Sequence, residues 1–380
     1  MKQNSRILLL PLLLVLISIP IEQWSNETSR IMKFTAMVLV AGNMLYKRQN
    51  NIFVFSIPVI LGYLVFLTLY NNVKLQPAVE DGLRYVLPII ALVYGMQLKM
   101  QQNLVLIVLL SYVLLSDIFQ LVYGILSIIL ANDTIFNRAS GFVGFFDFFG
   151  FINLVALVIT KNVDLSSFNK YKKYIEVILV LFIIWSLSLK IIFLLLIYLL
   201  IKNRNLIFLP LVTVVVLVLT GNKGIIDGFL LRINRYFINQ ESARNESYRV
   251  VFENLNEFWL IGKGPGTFGG PASTKYNSIL YNHYNFNWYG EFGLATTDTY
   301  YPHLIVEMGL VFAFLYIFTA LVTPLLISKL DTTVVLLIFF ISVNSIFSFA
   351  LNSVNYCFFS LVVVGLQIKS AVPMSINYLD

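Results

Sequence analysis

Five arginines, Arg138, Arg232, Arg235, Arg244 and Arg249, interrupt a chain dominated by Leu, Ile, Val and Phe. A guanidinium grips phosphate or diphosphate through paired hydrogen bonds at fixed geometry. Gathered on one side of a membrane, these residues would suit a lipid diphosphate lying at the interface. They would equally suit lipid headgroups, or ion pairs with Glu241, Glu246 and Glu253. Three acids fall within or at the ends of apolar runs: Asp117, Asp147 and Glu307. Ionisable groups in such places are costly and are functional candidates, although a hydrogen bond to a neighbouring helix would account for Asp117. His283 and His303 are the only histidines, and Cys357 is the only cysteine. There is therefore no intramolecular disulfide and no cysteine-based metal site. The chain has no His-Glu-x-x-His and no carboxylate pair at metal spacing, so neither metal nor cofactor is expected. The stretch GKGPGTFGG lacks the terminal Lys-Ser/Thr that a nucleotide phosphate loop requires, and reads as a turn.

The elements that must carry these residues are apolar. Hydrophobic residues make up 58% of the chain and charged residues only 12%, about half the charge of a soluble domain. The net charge of +7 is scattered among hydrophobic runs. It forms no stripe that would fit nucleic acid, and the bilayer is the expected solvent. The first apolar run has a basic head but bulky residues where a cleavage site would stand, and reads as an uncleaved span. Runs of spanning length recur near 4–21, 31–46, 52–70, 84–98, 104–130, 143–160, 174–189, 190–201, 206–220, 302–327, 332–350 and 353–368, about twelve helices. Lys and Arg concentrate in one set of short loops, which with the basic ends places both termini in the cytoplasm. The expected organisation is nine helices over 1–220, a long external loop over 221–301, and three helices over 302–380.

Within that loop, ESYRVVFENLNEFW has helical periodicity, with Val250, Val251, Leu255, Phe258 and Trp259 on one side and Arg249, Glu253 and Asn256 on the other. The Tyr/Asn-rich SILYNHYNFNWYGEFG would suit sugar rings, which stack on flat aromatic side chains. It would also suit an amphipathic layer at the membrane interface.

Several of these features together resemble the Wzy polymerase and O-antigen ligase superfamily. They are the many spans, one long loop near the C-terminal third, Arg249 ahead of the Gly262-Lys-Gly-Pro-Gly-Thr-Phe268 turn, Thr297-Asp298-Thr299-Tyr300, and Glu307-Met308-Gly309-Leu310. Arg138-Ala-Ser-Gly141 with Gly150, and Ser188-Leu189-Lys190, are similar to two further family segments. The likeness covers about residues 100–350. Phe146-Asp147 replaces the usual Pro-Asn, and Phe312 replaces a common Gly. Thr297-Asp298 replaces the His-Asn pair of ligases, which favours the polymerase branch.

The resemblance implies an all-α polytopic membrane protein of the GT-C-like glycosyltransferase kind. It implies transfer of a glycan from an undecaprenyl-diphosphate-linked donor to a lipid-linked repeat unit outside the bacterial cytoplasmic membrane. No metal or nucleotide sugar takes part, and a chain-length regulator is a further candidate partner. Arg138 and Arg249, helped by Arg244 and Lys190, are the expected diphosphate ligands. Tyr300, Tyr284 and Glu253 are the expected substrate contacts. The base that takes the acceptor proton is expected to be Asp298, at the position of the family's polar pair, with His303 second. A ligase acting on lipid A-core, or a flippase of lipid-linked oligosaccharides, is the alternative. Transporters place their sites near mid-membrane and often carry internal repeats, whereas the charge here gathers in the loop and no repeat is visible.

The topology yields a first prediction. With Cys357 replaced, a cysteine placed at Tyr276 should react with an impermeant thiol reagent added from outside. Reaction only from the cytoplasmic side would overturn the orientation.

Overall fold

The computed structural model describes residues 7–46, 51–131, 138–163, 170–202, 241–290 and 296–368, with isolated positions at 208, 234, 238 and 239. Every regular element among the described residues is helical. The helices are α1 (Leu10–Ile21), α2 (Asn26–Tyr46), α3 (Ile52–Tyr70), α4 (Leu75–Gly82), α5 (Leu87–Gln97), α6 (Gln102–Ala131), α7 (Phe146–Ile159), α8 (Lys172–Trp185) and α9 (Leu189–Lys202). After a gap come α10 (Ala243–Glu253), α11 (Pro271–Lys275), α12 (Leu280–His283), α13 (Tyr300–Met308), α14 (Leu310–Ile327), α15 (Thr332–Ile346) and α16 (Val354–Gln367). Among the described residues, three helices are long and apolar enough to cross a membrane: Ile52–Tyr70, Lys99–Leu126 and Leu310–Ile327. The run expected at 206–220, together with Arg232 and Arg235, lies outside the described residues.

The bundle centre is made by α5 and α16. Gly95 and Gly365 meet where they cross, and a Cβ on either would lie 2.1–2.2 Å from a backbone oxygen of the other helix. Small residues at a crossing let helix backbones touch and pack by dispersion alone. α7 packs beside them and is buried along almost its whole length.

The run expected as one span over 302–327 is broken. α13 stops at Met308, and Gly309 takes φ +81, a conformation that residues with a Cβ avoid. A break releases backbone carbonyls that lipid cannot satisfy, and here protein supplies the donors. The Lys263 N–H donates to Val306 O (2.8 Å) and the Gly264 N–H to Glu307 O (3.0 Å). The Tyr63 hydroxyl donates to Met308 O (2.8 Å). The chain resumes as α14, which carries a π turn at Phe318–Val322. The span expected at 84–98 likewise begins in a 3-10 turn, Leu83–Val86, and is preceded by the short helix α4, which the hydrophobic pattern did not announce.

The loop region has its own small core. α10 begins at Ser242, whose hydroxyl accepts from the Asn245 N–H, and its Val250 and Val251 are buried as the periodicity requires. Trp259 departs from the pattern. Beyond α10 the chain changes to a 3-10 turn (Leu255–Phe258), which rotates the ring outward and leaves it 54% exposed. The Tyr/Asn-rich piece, whose residues suited either sugar rings or an interfacial layer, supplies part of this core instead. Tyr281, Tyr284 and Phe286 turn inward and pack with Phe258, Phe268 and Val306.

Gly262 is where this loop core meets α13, and a Cβ there would fall 2.2 Å from Glu307 O. Gly262→Ala should therefore lower the unfolding free energy in detergent by about 1–3 kcal/mol, the usual cost of overpacking. Gly62→Ala, in open space on α3, should be neutral or slightly stabilising. Equal thermal stability of the two variants would refute the interlock.

Candidate functional site

Two clusters of polar side chains lie at the end of the bundle that carries the loop. The first is charged. Asp147 opens α7, and Lys190 opens α9, with Nζ 3.1 Å from Asp147 Oδ2. Ser188, in the turn between α8 and α9, donates its hydroxyl to Asp147 Oδ1. A carboxylate in the first turn of a helix is favoured by the unpaired N–H groups there. Arg138 lays its guanidinium over the Phe146 ring, 3.1 Å from the centroid. It donates to Leu187 O (2.9 Å) and Ser186 O (3.4 Å). The Arg138–Gly141 strip is fixed by Gln120 of α6, whose Oε1 accepts from the Ser140 and Gly141 N–H groups. Arg244, at the start of α10, pairs with Asp298 at 3.7 Å. Arg244 and Asp298 both lie within electrostatic reach of Lys190, and Tyr356 of α16 lies within reach of Asp147 and Asp298.

Segments near residues 138, 147, 190, 244 and 298 thus bring three cations to two carboxylates. Asp298 is 53% exposed in its side chain and sits at φ +57, an unusual conformation for a residue with a Cβ. Such strain at an exposed acid marks a functional candidate.

The second cluster is buried. Glu307 Oε1 accepts from the backbone N–H groups of Thr267 (2.8 Å) and Phe268 (3.0 Å), and Oε2 from the Tyr85 hydroxyl (2.8 Å). His303 Nδ1 lies 2.6 Å from Phe268 O, so that nitrogen carries the hydrogen. Its Nε2 faces Tyr85 Oη (2.9 Å) and the Asn352 amide (3.3 Å). Asp81 accepts from the Ala272 N–H (3.2 Å) and pairs with Arg84 (3.5 Å). Burial pushes the Asp81 carboxyl up to about 6, against the pull of Arg84 and the Ala272 N–H.

The ligand atoms of Asp81, His303 and Glu307 lie within 4.8 Å of one another, a grouping of metal-ligand type that sequence spacing did not reveal. Glu307 and His303 already use their polar atoms on backbone and Tyr85, so the arrangement works as a hydrogen-bonded knot that fastens the Gly-rich turn to α13.

No family model, curated protein or solved structure matches this chain.

The residues singled out in the sequence divide between these settings. Arg138, Lys190, Arg244 and Asp298 come together in the charged cluster. Arg249 has a different setting. Its Nε and Nη2 form a two-pronged pair with Glu246 (3.0 and 2.6 Å), Nη1 pairs with Glu253, and Nη2 also donates to Tyr284 O (3.1 Å). The fork expected to grip diphosphate grips Glu246, which also holds the Asn287 N–H (3.0 Å). Glu253 is the outer member of that ion pair.

Tyr284 is buried with its hydroxyl on Glu257 (3.0 Å). Tyr300 is fully buried against the rings of Tyr301, His303 and Phe349. His303 is fully buried too, which separates it from the exposed Asp298. Asp117 is buried and accepts from the Asn153 side chain (3.1 Å), the bland outcome that its position allowed.

Asp81, Tyr85, Asn344, Asn352 and Tyr356 were missed. The Glu80-Asp81 pair ahead of an apolar run, and the polar NSVNY between two spans, were the available signals.

The Asp147–Lys190 pair generates a prediction. Lys190→Met leaves a mostly buried carboxylate without its ammonium, and should cost about 2–3 kcal/mol of stability. Combining it with Asp147→Asn should recover at least half of that loss in detergent unfolding. A double variant no better than the single one would show that the two do not interact.

Proposed function

We propose that the chain is a polymerase of bacterial surface polysaccharide (O-antigen, capsule or exopolysaccharide), built as a GT-C-like bundle of about twelve spans in the cytoplasmic membrane. In this reading both termini are cytoplasmic and the loop region faces outward. The observation that carries the proposal is the convergence of Arg138, Lys190 and Arg244 around Asp147 and the exposed Asp298. Cations brought from separate segments to one bundle end suit a diphosphate. An exposed carboxylate beside them suits proton removal from a sugar hydroxyl.

The acceptor hydroxyl oxygen of a lipid-linked repeat unit attacks the anomeric carbon of the donor glycan, and Asp298 takes its proton. The new glycosidic C–O bond forms as the bond from the anomeric carbon to the diphosphate oxygen breaks. The electron pair leaves on undecaprenyl diphosphate, where Lys190, Arg138 and Arg244 offset the developing charge. Asp147 and Ser188 hold Lys190 in place for that task. Attack opposite the leaving group inverts the anomeric centre.

Purified protein in nanodiscs, supplied with lipid-linked repeat units, should build a ladder of chains. Asp298→Asn should slow it about 10²–10⁴-fold, the usual worth of a positioned base. Arg138→Lys should also be impaired, because an ammonium cannot reproduce a planar fork. If Asp298→Asn polymerises within a few-fold of the wild type, the assignment of the base fails. Deletion of the gene should leave single-repeat surface glycan. Loss of attachment to the lipid core would indicate a ligase, and repeat units trapped inside a flippase.

A further inference from the structure

The stretch Glu257-Phe-Trp-Leu-Ile-Gly-Lys263 belongs to the loop region expected outside the membrane, yet it exposes three apolar side chains in a row, Trp259, Leu260 and Ile261. Its two ends meet again, with Lys263 Nζ 2.8 Å from Glu257 Oε2. The stretch is therefore a hairpin, closed at its base by an ion pair and apolar at its tip.

The depth of the tip is set by α3. That helix has 19 residues and rises about 28 Å, close to the roughly 30 Å of a hydrocarbon layer. The Leu260 carbonyl oxygen lies 3.4 Å from the Tyr63 hydroxyl. Tyr63 stands seven residues before the end of α3 at Tyr70, about 10 Å along the axis. Side chains lean toward the N-terminus of their helix, which carries that hydroxyl away from the Tyr70 end. Phe66, Leu69 and Tyr70 are exposed as well, so the apolar surface of α3 continues beyond the level of the tip. From Leu260 the chain climbs back. Gly262 O accepts from the Asn71 side chain (3.0 Å), and a Cβ on Gly264 would meet Val73 at 2.8 Å. Irregular backbone at such depth needs partners from protein. Besides Gly262 O, Trp259 O accepts from the Val311 N–H (3.2 Å) at the start of α14.

We propose that Trp259–Ile261 is a re-entrant tip that the loop region inserts into the bilayer, where its three side chains lie against lipid acyl chains. This seating rests on α3 and α14 as membrane crossings and holds whatever reaction the chain performs. Lipid fits the place because the tip adjoins two helices whose own exposed side chains, Phe66 and Leu69 on α3 and Phe314 on α14, need the same apolar layer. Trp259, against the first turn of α14, stands at the edge of that layer, where amphipathic rings are favoured. Leu260 lies deeper, at the level of the Tyr63 hydroxyl. The Glu257–Lys263 pair at the base belongs to the headgroup level. Gly262 and Gly264 follow the tip directly, so its insertion sets the Gly-rich turn at a fixed depth from the membrane surface.

The four tryptophans, Trp24, Trp185, Trp259 and Trp288, allow a direct test. The full chain carrying Trp24→Phe, Trp185→Phe and Trp288→Phe keeps Trp259 alone. It is placed in phosphatidylcholine vesicles whose acyl chains carry bromine, a contact quencher of indole fluorescence. Trp259 should lose much of its emission relative to unbrominated vesicles. A chain that keeps Trp288 alone, in the core of the loop region, should lose little. Leu260→Cys in the chain with Cys357 replaced gives a second measure that needs no tryptophan change. A nitroxide on that cysteine should meet oxygen dissolved in the bilayer and be shielded from a water-soluble nickel chelate. Trp259 emission that bromine leaves intact, or a nitroxide open to nickel, would overturn the insertion. A nitroxide shielded from both nickel and oxygen would also overturn it, and would show that protein covers the tip, such as a second copy of this chain.

Discussion

Buried acids hold the loop region to the bundle, Glu307 foremost, with Asp81 accepting from the Ala272 N–H beside it. Glu307 receives two backbone N–H groups from the Gly-rich turn and the Tyr85 hydroxyl from the turn ahead of α5. One turn away, the carbonyls freed at Gly309 take up the other edge of the same loop. Burying a carboxylate in an apolar bundle is costly unless every lone pair finds a donor. That condition ties the position of the turn to Glu307. The turn in turn holds Thr297, whose N–H donates to Gly269 O (3.1 Å), and Asp298 is the next residue. The location of the exposed acid is thus set from inside the protein, by groups that never meet solvent.

The charged cluster rests on different physics. Arg138, Lys190, Asp147 and Ser188 are held by turns at helix ends, where unpaired backbone groups and short polar side chains orient one another. Arg138 is further braced by the Phe146 ring. Arg244 and Asp298 come from the loop region. The cluster therefore spans the seam between the two parts of the molecule, and its geometry depends on the fit of the loop to the bundle.

Much of this was legible in the residues. Charge scarcity and long apolar runs point to a helical membrane protein, and α2, α3, α6, α8 and α9 fall where hydropathy places them, because one-dimensional apolarity is the whole signal for such elements. Arg138, Lys190, Arg244 and Asp298 could be named because cations and acids are conspicuous in so greasy a chain. Other features were not legible. The helix break at Gly309 leaves the hydropathy of 302–327 unchanged, since its cause is the fit of Gly262 to Glu307 O across the fold. Arg249 was given a ligand role because a sequence shows that a guanidinium is present but hides which carboxylate answers it. Tyr281, Tyr284 and Phe286 form a core, because a loop of this size needs apolar filling of its own. The pairing of Asp81 with His303 and Glu307 joins positions more than two hundred residues apart, beyond the reach of any local pattern.

The break at Gly309 also bears on how the chain reaches its membrane. α13 has nine residues and rises only about 13 Å, less than half of a hydrocarbon layer of roughly 30 Å. By itself it offers the insertion machinery no stable crossing, and its last carbonyls are bare until the Gly-rich turn docks. The Gly-rich turn and α13 therefore complete each other, whereas α14 is long and apolar enough to cross a membrane without that partner. A change that loosened the Gly-rich turn would thus expose backbone carbonyls at Val306 and Glu307 inside the apolar bundle.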